Sequence, residues 1–266
     1  MSGSGFQTTR RGTGEFLAAA SLGKVPGVRR IVFSGYNSDV DIATAPEDIF
    51  PALESTLIPV PASAESWEVV SSSANDTAAG TGARTLSITT LNGSFAEVTQ
   101  TVTLNGTTPV ALTGAHLTTN AAIVLTAGSG GVNAGLLTIR VTGGGAARAY
   151  ISPGDGVLNQ CKYTVPAGFL LELHSAVMGI TTTGGAESVR FVFVTTNSAG
   201  RQINAVRLPL FAGGQSIYRH EVGCGVPYNT VSATSSTAIR VLSVSQNNTQ
   251  VDASVIGFLY DLSLWP

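Results

Sequence analysis

From Trp67 onward, apolar and polar residues alternate with a period of two, the repeat of a strand with one buried face. Trp67, Val69 and Ser71 alternate with Glu68 and Val70, and Leu86 and Ile88 alternate with Thr85, Ser87 and Thr89. Val98, Val102 and Leu104 share a face that Gln100 interrupts, and Leu137, Ile139 and Val141 share another. Each run is about six residues, an ordinary strand length. Asn92-Gly93 and Asn105-Gly106 supply tight turns, because Asn and Gly tolerate positive φ, and residues 128–131 make a looser loop. Short strands at this spacing predict an Ig-like β-sandwich over residues 63–148.

The three glycines 143–145 read as a domain boundary, followed by a turn at Pro153, Gly154, Asp155 and Gly156. Beyond it, residues 169–173, 189–194, 239–244 and 251–264 read as strands. Residues 189–194 are apolar on both faces, which places them inside a sandwich or an interface. In the last run Ile256, Phe258, Tyr260, Leu262 and Leu264 fall on one face, and Val255, Gly257, Leu259 and Asp261 on the other. The expectation is a jelly-roll-like sandwich over 149–266, and the fold class is all-β.

Residues 1–62 lack this periodicity and are expected to form an extended arm with short helical turns. One helix is predicted around residues 16–22, with Thr13 as N-cap, Glu15 in the first turn and Gly23 at the stop position. Such a helix is marginal in water unless it packs on something. A second helical turn is predicted at 45–49, where Thr44 and Glu47 have capping-box spacing and Pro51 blocks extension. Pro51, Pro59 and Pro61 then mark extended chain.

Composition changes this picture in one respect. Only 11% of the 266 residues are charged, with Lys only at positions 24 and 162, against about 25% in an average soluble domain. A chain so poor in charge exposes neutral and apolar surface of the kind found in interfaces. The net charge of −2 argues against nucleic acid or an anionic membrane as partner, since both require a basic field. The charges present are segregated: Arg10, Arg11, Lys24, Arg29 and Arg30 crowd the start, and Asp39, Asp41, Glu47, Asp48 and Glu54 follow. A basic stretch beside an acidic one can pair with complementary surfaces on neighbouring subunits.

Candidate chemistry is sparse. His116, His174 and His220 show no metal-ligand spacing, and Cys161 and Cys224 lie in no CxxC motif. His220, Glu221 and Cys224 form a loose cluster without the orienting groups of a nucleophilic site. Asp39, Asp41, Glu47 and Asp48 lack the loop pattern of a calcium site. The acids of the C-terminal half, Asp155, Glu172, Glu187, Glu221, Asp252 and Asp261, form no recognisable glycosidase pair. The glycine runs match neither phosphate-binding nor dinucleotide fingerprints. No catalytic residue, cofactor or metal is expected, and the chain is read as a non-enzyme.

The segments DVDIATAPEDIF (39–50), WEVVSSSANDTAAGTGARTLSI (67–88), VTLNGTTPV (102–110), AGSGGVNAGLLTIR (127–140) and YTVPAGFLLEL (163–173) resemble, in the same order, blocks of a family of virion structural proteins of tailed bacteriophages. Phe50 stands where that pattern has Trp, and the Pro-rich 51–62 replaces a Gly-rich link. The resemblance implies a β-rich particle protein, assembled in the host bacterial cytoplasm and resident in the virion. It implies a decoration or cement protein, a homotrimer bound to the major capsid protein or other virion proteins. The alternative is a tail or head-fibre component recognising a host-surface glycan or protein. Arg10, Arg11, Phe16, Leu17, Arg29, Arg30, Asp39, Asp41, Glu47, Asp48 and Phe50 are the candidate assembly contacts. On this reading, removal of residues 1–35 leaves a folded trimer that no longer attaches.

Overall fold

A computed structural model describes residues 13–43, 45–51, 60–181, 187–212, 218–221 and 230–264. With 58% of the chain in strands and 3% in helix, the protein is all-β, as the period-two pattern requires. Helix α1 (Thr13–Ser21) precedes strand β1 (Val28–Val40) and the two-residue β2 (Glu47–Asp48). Six strands follow: β3 (Glu65–Ser71), β4 (Ala83–Asn92), β5 (Glu97–Thr103), β6 (Val110–Ala127), β7 (Leu137–Val141) and β8 (Ala147–Ile151). The remainder comprises β9 (Lys162–Thr164), β10 (Phe169–Thr181), β11 (Glu187–Thr196), β12 (Gln202–Ala212), β13 (Tyr218–Glu221), β14 (Thr230–Val231), β15 (Ser236–Val244) and β16 (Thr249–Asp261).

Strands β3 to β8 form one antiparallel sheet in the order β5-β4-β6-β3-β7-β8, where two facing sheets were expected. Its shape comes from β6. The first part of β6 pairs with β3, up to His116 opposite Glu65. From His116 onward it pairs with β4, ending at Ala127 opposite Ala83. A strand that changes partner midway turns a corner, so the sheet folds over on itself and closes its own core. Trp67, Val69, Leu86, Ile88, Leu137, Ile139 and Ile151 are all buried there. Gln100, the polar break in an apolar face, spans the fold: its amide accepts from Thr113 N–H at 2.8 Å and donates to Thr113 C=O at 2.9 Å. Thr113 lies where β6 bulges relative to β3, and Gln100 supplies the rung the ladder lacks there. The glycines 143–145 are the turn of the β7–β8 hairpin, so the chain leaves this sheet near residue 152 instead.

The other strands form two five-stranded sheets, β1-β16-β10-β13 with β14 beside β10, and β12-β11-β15-β2 with β9 beside β15. Both contribute to one hydrophobic cluster that includes Phe33, Val40, Leu171, Met178, Val251 and Val255 from the first sheet and Phe191, Ile239 and Val241 from the second. Two sheets with a shared core make a sandwich, and the both-faces-apolar β11 lies between β12 and β15 in it.

The expected arm is corrected here. Residues 28–40 are a core strand, paired with β16 from Val28 opposite Tyr260 to Val40 opposite Thr249. The sequence hides this because Gly35 and Asn37 occupy inward positions after Phe33. A Cβ at Gly35 would collide with the carbonyl oxygen of Ile49 and lie 2.7 Å from the amide of Cys161, so the crossing admits only glycine. Asn37 donates to the Glu47 carboxylate at 2.8 Å. The second predicted helical turn is also absent: Ala45-Pro46 is a cis peptide, and Glu47 and Asp48 pair with Val241 and Arg240 as strand β2. Thr44, its proposed cap, and residues 52–59 lie outside the described residues. Helix α1 does form and stops before Gly23. Its packing partner is the outer face of the first sheet, where Ala20, Val28 and Phe258 are buried with Phe16, Val25 and Tyr260 around them.

The folded-over sheet and the sandwich meet through polar and backbone bonds. The Asn120 amide donates to Thr164 C=O at 2.8 Å and accepts from Thr164 N–H at 3.0 Å. Ala167 N–H donates to Phe95 C=O at 2.9 Å, and Phe50 packs on Tyr150 with ring centroids 5.6 Å apart.

Candidate functional site

The proposed assembly contacts do not form one exposed surface. Arg10 and Arg11 lie outside the described residues, and Leu17 is placed in α1 by its backbone alone. Phe16 packs beside Phe258 within this chain. Glu47 and Phe50 are buried at 0% and 1% exposure and Asp48 at 6%, so these three are corrected from contacts to interior residues. Asp39 is half-buried, and Asp41 accepts the Asn248 N–H at 2.9 Å. Arg30 is exposed. Arg29 is also exposed but holds Glu97 at 2.7 Å and lies 6.0 Å over the Phe169 ring, bridging sheet and sandwich. Two acids of the acidic stretch are therefore an internal fastening: Asp48 and Glu47, which look solvated in sequence, are bonded to Arg240 and Asn37, while Glu54 lies outside the described residues.

The fastening has a centre. Arg240 donates to Asp48 at 2.7 Å, and Lys162, itself buried, sits opposite Ala238 on the same strand as Arg240. Burial lowers the Lys162 ammonium to about 8, with nearby Arg240 and Arg148 pushing the same way and Asp48 opposing. Burial also pushes the neighbouring Cys161 thiol up to about 12, the opposite of what a nucleophilic cysteine needs. Cys224 lies outside the described residues. His116 is a core residue, its ring tilted against Trp67 with centroids 5.3 Å apart and bonded through Nδ1 to Thr90 at 2.8 Å. Its desolvation lowers its pKa and favours neutral imidazole. His174 packs edge-on against Phe258. No group of three or more His, Cys, Asp or Glu able to hold a metal occurs among the described residues.

Sequence reasoning missed a densely bonded side chain, Asp76. Its carboxylate is fully buried. It accepts from the Ser71 hydroxyl at 2.6 Å, Ala83 N–H at 2.7 Å, Ala134 N–H at 2.8 Å and Gly135 N–H at 2.9 Å. Its backbone carbonyl accepts Gly106 N–H at 2.7 Å. Asp76 thus ties together four places in the chain: its carboxylate holds the end of β3, the start of β4 and the loop before β7, and its carbonyl holds the loop after β5. At Gly82 a Cβ would strike the Asp76 carboxylate, so the small residues of SSSANDTAAGTGA are the clearance this knot requires. The available signal was a lone Asp in a loop of Ser, Ala and Gly.

No protein-family model and no curated protein matches the chain. Among solved structures, the Gx strain of infectious bursal disease virus is similar at 11% identity over 88% of this chain and 72% of that one, with a TM-score of 0.28. The crystal structure of a subviral particle of infectious bursal disease virus is similar at 10% identity over 90% and 73%, also with a TM-score of 0.28. Likeness at this level carries no argument about fold or role, so the functional reading rests on this chain's own residues.

Proposed function

We propose that the chain is a structural component of a tailed-bacteriophage virion that decorates or cements the capsid shell, working by adhesion and not by catalysis. The observation that supports this most is the Asp76 knot. The blocks through which the chain resembles virion structural proteins converge on that one residue: 67–88 and 127–140 on its carboxylate and 102–110 on its backbone carbonyl. What the resemblance shares is thus a framework, and a framework suits a protein whose work is to persist against its neighbours. The partners are the major capsid protein or other virion proteins, and further copies of this chain as a homotrimer. Each added contact stabilises the shell by burying apolar surface at roughly 25 cal/mol per Å², repeated over symmetric copies.

Quantitative mass spectrometry of purified virions tests this. Copies on the order of hundreds per particle, as the symmetry of a shell lattice demands, are expected. A small multiple of the tail's symmetry moves the chain to the tail or a head fibre, where host-surface glycan recognition becomes its task. Absence from washed particles overturns both.

A further inference from the structure

One exposed face of the folded-over sheet carries no ionisable side chain across its centre. On β5 and β4, Thr103, Thr101 and Thr99 stand opposite Thr85, Ser87 and Thr89. On the far side of β4, Ser87 faces Ile123 and Thr89 faces Ala121 of β6, and Ile123 bridges to Val157. The middle row therefore runs hydroxyl, hydroxyl, sec-butyl, isopropyl: Thr101, Ser87, Ile123, Val157. Ile123 is 47%, Leu125 52% and Val157 38% exposed. The hydroxyls are partly matched to one another, with Thr85 to Thr126 at 2.6 Å and Thr89 to Thr99 at 3.0 Å. At one end the face is closed by Glu97, neutralised by Arg29.

We propose that this face is a contact between two copies of the chain, packed against each other about a twofold axis. The charge pattern selects that occupant. In a twofold contact each patch meets itself, so any unpaired charge at its centre would meet its own like. A hydroxyl is both donor and acceptor and can pair with another hydroxyl in either sense. A face of hydroxyls beside branched aliphatics is thus complementary to its own copy. A partner recognised through charge would find nothing to hold. Strands about 4.8 Å apart with same-face residues about 7 Å apart give a patch of roughly 300 Å². That is well below the ~800 Å² per partner of a stable complex. The contact is therefore weak between free molecules and effective where copies are held side by side. It is separate from any threefold contact that builds a trimer. It rests on the proposed virion role only for the support that holds the copies, and the face itself is testable on the isolated protein.

In a Cys224→Ser background, Ser87→Cys places a thiol at the centre of the face, and Ser38→Cys places one on exposed β1 as control. At high protein concentration under mild oxidation, the Ser87→Cys protein is expected to form covalent dimers at least tenfold faster than the control. Adding Thr101→Lys is expected to abolish that advantage while leaving the melting temperature unchanged. Sedimentation velocity of the wild-type chain should show concentration-dependent association that Thr101→Lys removes. Equal cross-linking at both positions, or rates indifferent to Thr101→Lys, overturns the proposal. So does a strictly monomeric wild type whose Thr101→Lys variant loses attachment to particles, since the face then meets the shell. Failure of these measurements leaves the virion stoichiometry untouched, and failure of the stoichiometry leaves them untouched.

Discussion

The folded-over sheet and the sandwich are built from chain of similar composition, yet they close their cores in different ways. In the sheet, two strand pairs are hairpins closed by their own turns: β4 and β5 are joined by the turn at Asn92, whose side chain accepts the N–H groups of Ser94 and Ala96, and β7 and β8 by the glycines 143–145. In the sandwich the first strand pairs with the last, β1 with β16, and β2 pairs with β15. Local closure is written in periodicity and turn residues. Closure between chain ends is not, because each strand looks incomplete until its distant partner is present.

Deleting residues 1–35 breaks this comparison most severely. It removes β1 from Val28 to Gly35, with buried Val28 and Phe33, and uncovers β16 and the Phe258 cluster. Each buried side chain of this size contributes roughly 1.5–3 kcal/mol, and an open edge on a central strand invites aggregation. The truncated chain is expected to lose cooperative thermal unfolding in the sandwich, followed by circular dichroism. Deleting residues 1–12 should leave the melting temperature unchanged. A fully cooperative transition in the longer deletion would show that β1 is dispensable after all.

In the sheet the largest single-residue effect is expected at Asp76. Asp76→Ala leaves the buried N–H groups of Ala83 and Gly135, the part-buried N–H of Ala134 and the Ser71 hydroxyl without their acceptor. A loss of about 3–5 kcal/mol is expected by urea denaturation, because unsatisfied buried donors cost more than made bonds return. Asp76→Asn keeps one oxygen for Ala83 and Ala134 but turns an amide toward Gly135, and should lose about half as much. Faster amide exchange at Ala83, Ala134 and Gly135 would mark the knot itself. Equal stability of Asp76→Ala and wild type would remove the framework role assigned to it.

How much could be read beforehand follows from these examples. Strands β3, β4, β5, β7, β15 and β16, helix α1 and the Asn-Gly turns are visible because their side chains alternate, or cap, within a few residues. Strand β6 is hidden in the sequence, since its partner changes at His116 and its inward set changes with the partner. Strand β1 reads as an arm because Gly35 and Asn37 answer to Ile49 and Glu47 and not to a hydrophobic core. The candidate contacts suffered most. A carboxylate such as Asp48 reads as solvated unless its partner is known, and Arg240 lies 192 residues away.

The joint between the two regions offers a sharper test, through Lys162. An ordinary lysine near 10.5 falls to about 8 here, chiefly because burial disfavours the charged form. Below pH 8 the ammonium is held in both folded and unfolded chains, and the folded state bears the full cost of that buried charge. Between pH 8 and 10.5 the folded chain gives up the proton while the unfolded chain keeps it, so stability rises with pH across that window. A shift of this size corresponds to about 3 kcal/mol. Cys161, raised from 9.0 to about 12, and Tyr163, raised by burial, act oppositely: the unfolded chain loses their protons first, and stability falls from about pH 9 upward. The two effects separate in a difference. Lys162→Met keeps the packing volume, leaves Asp48 bonded to Arg240, and leaves Cys161 and Tyr163 common to both proteins. Wild-type stability minus that of Lys162→Met is therefore expected to be flat below pH 8 and to climb toward pH 10.5, read from urea midpoints. A difference that stays flat throughout would mean that Lys162 reaches water in the folded chain, and that the two regions part at this joint more easily than their bonding implies.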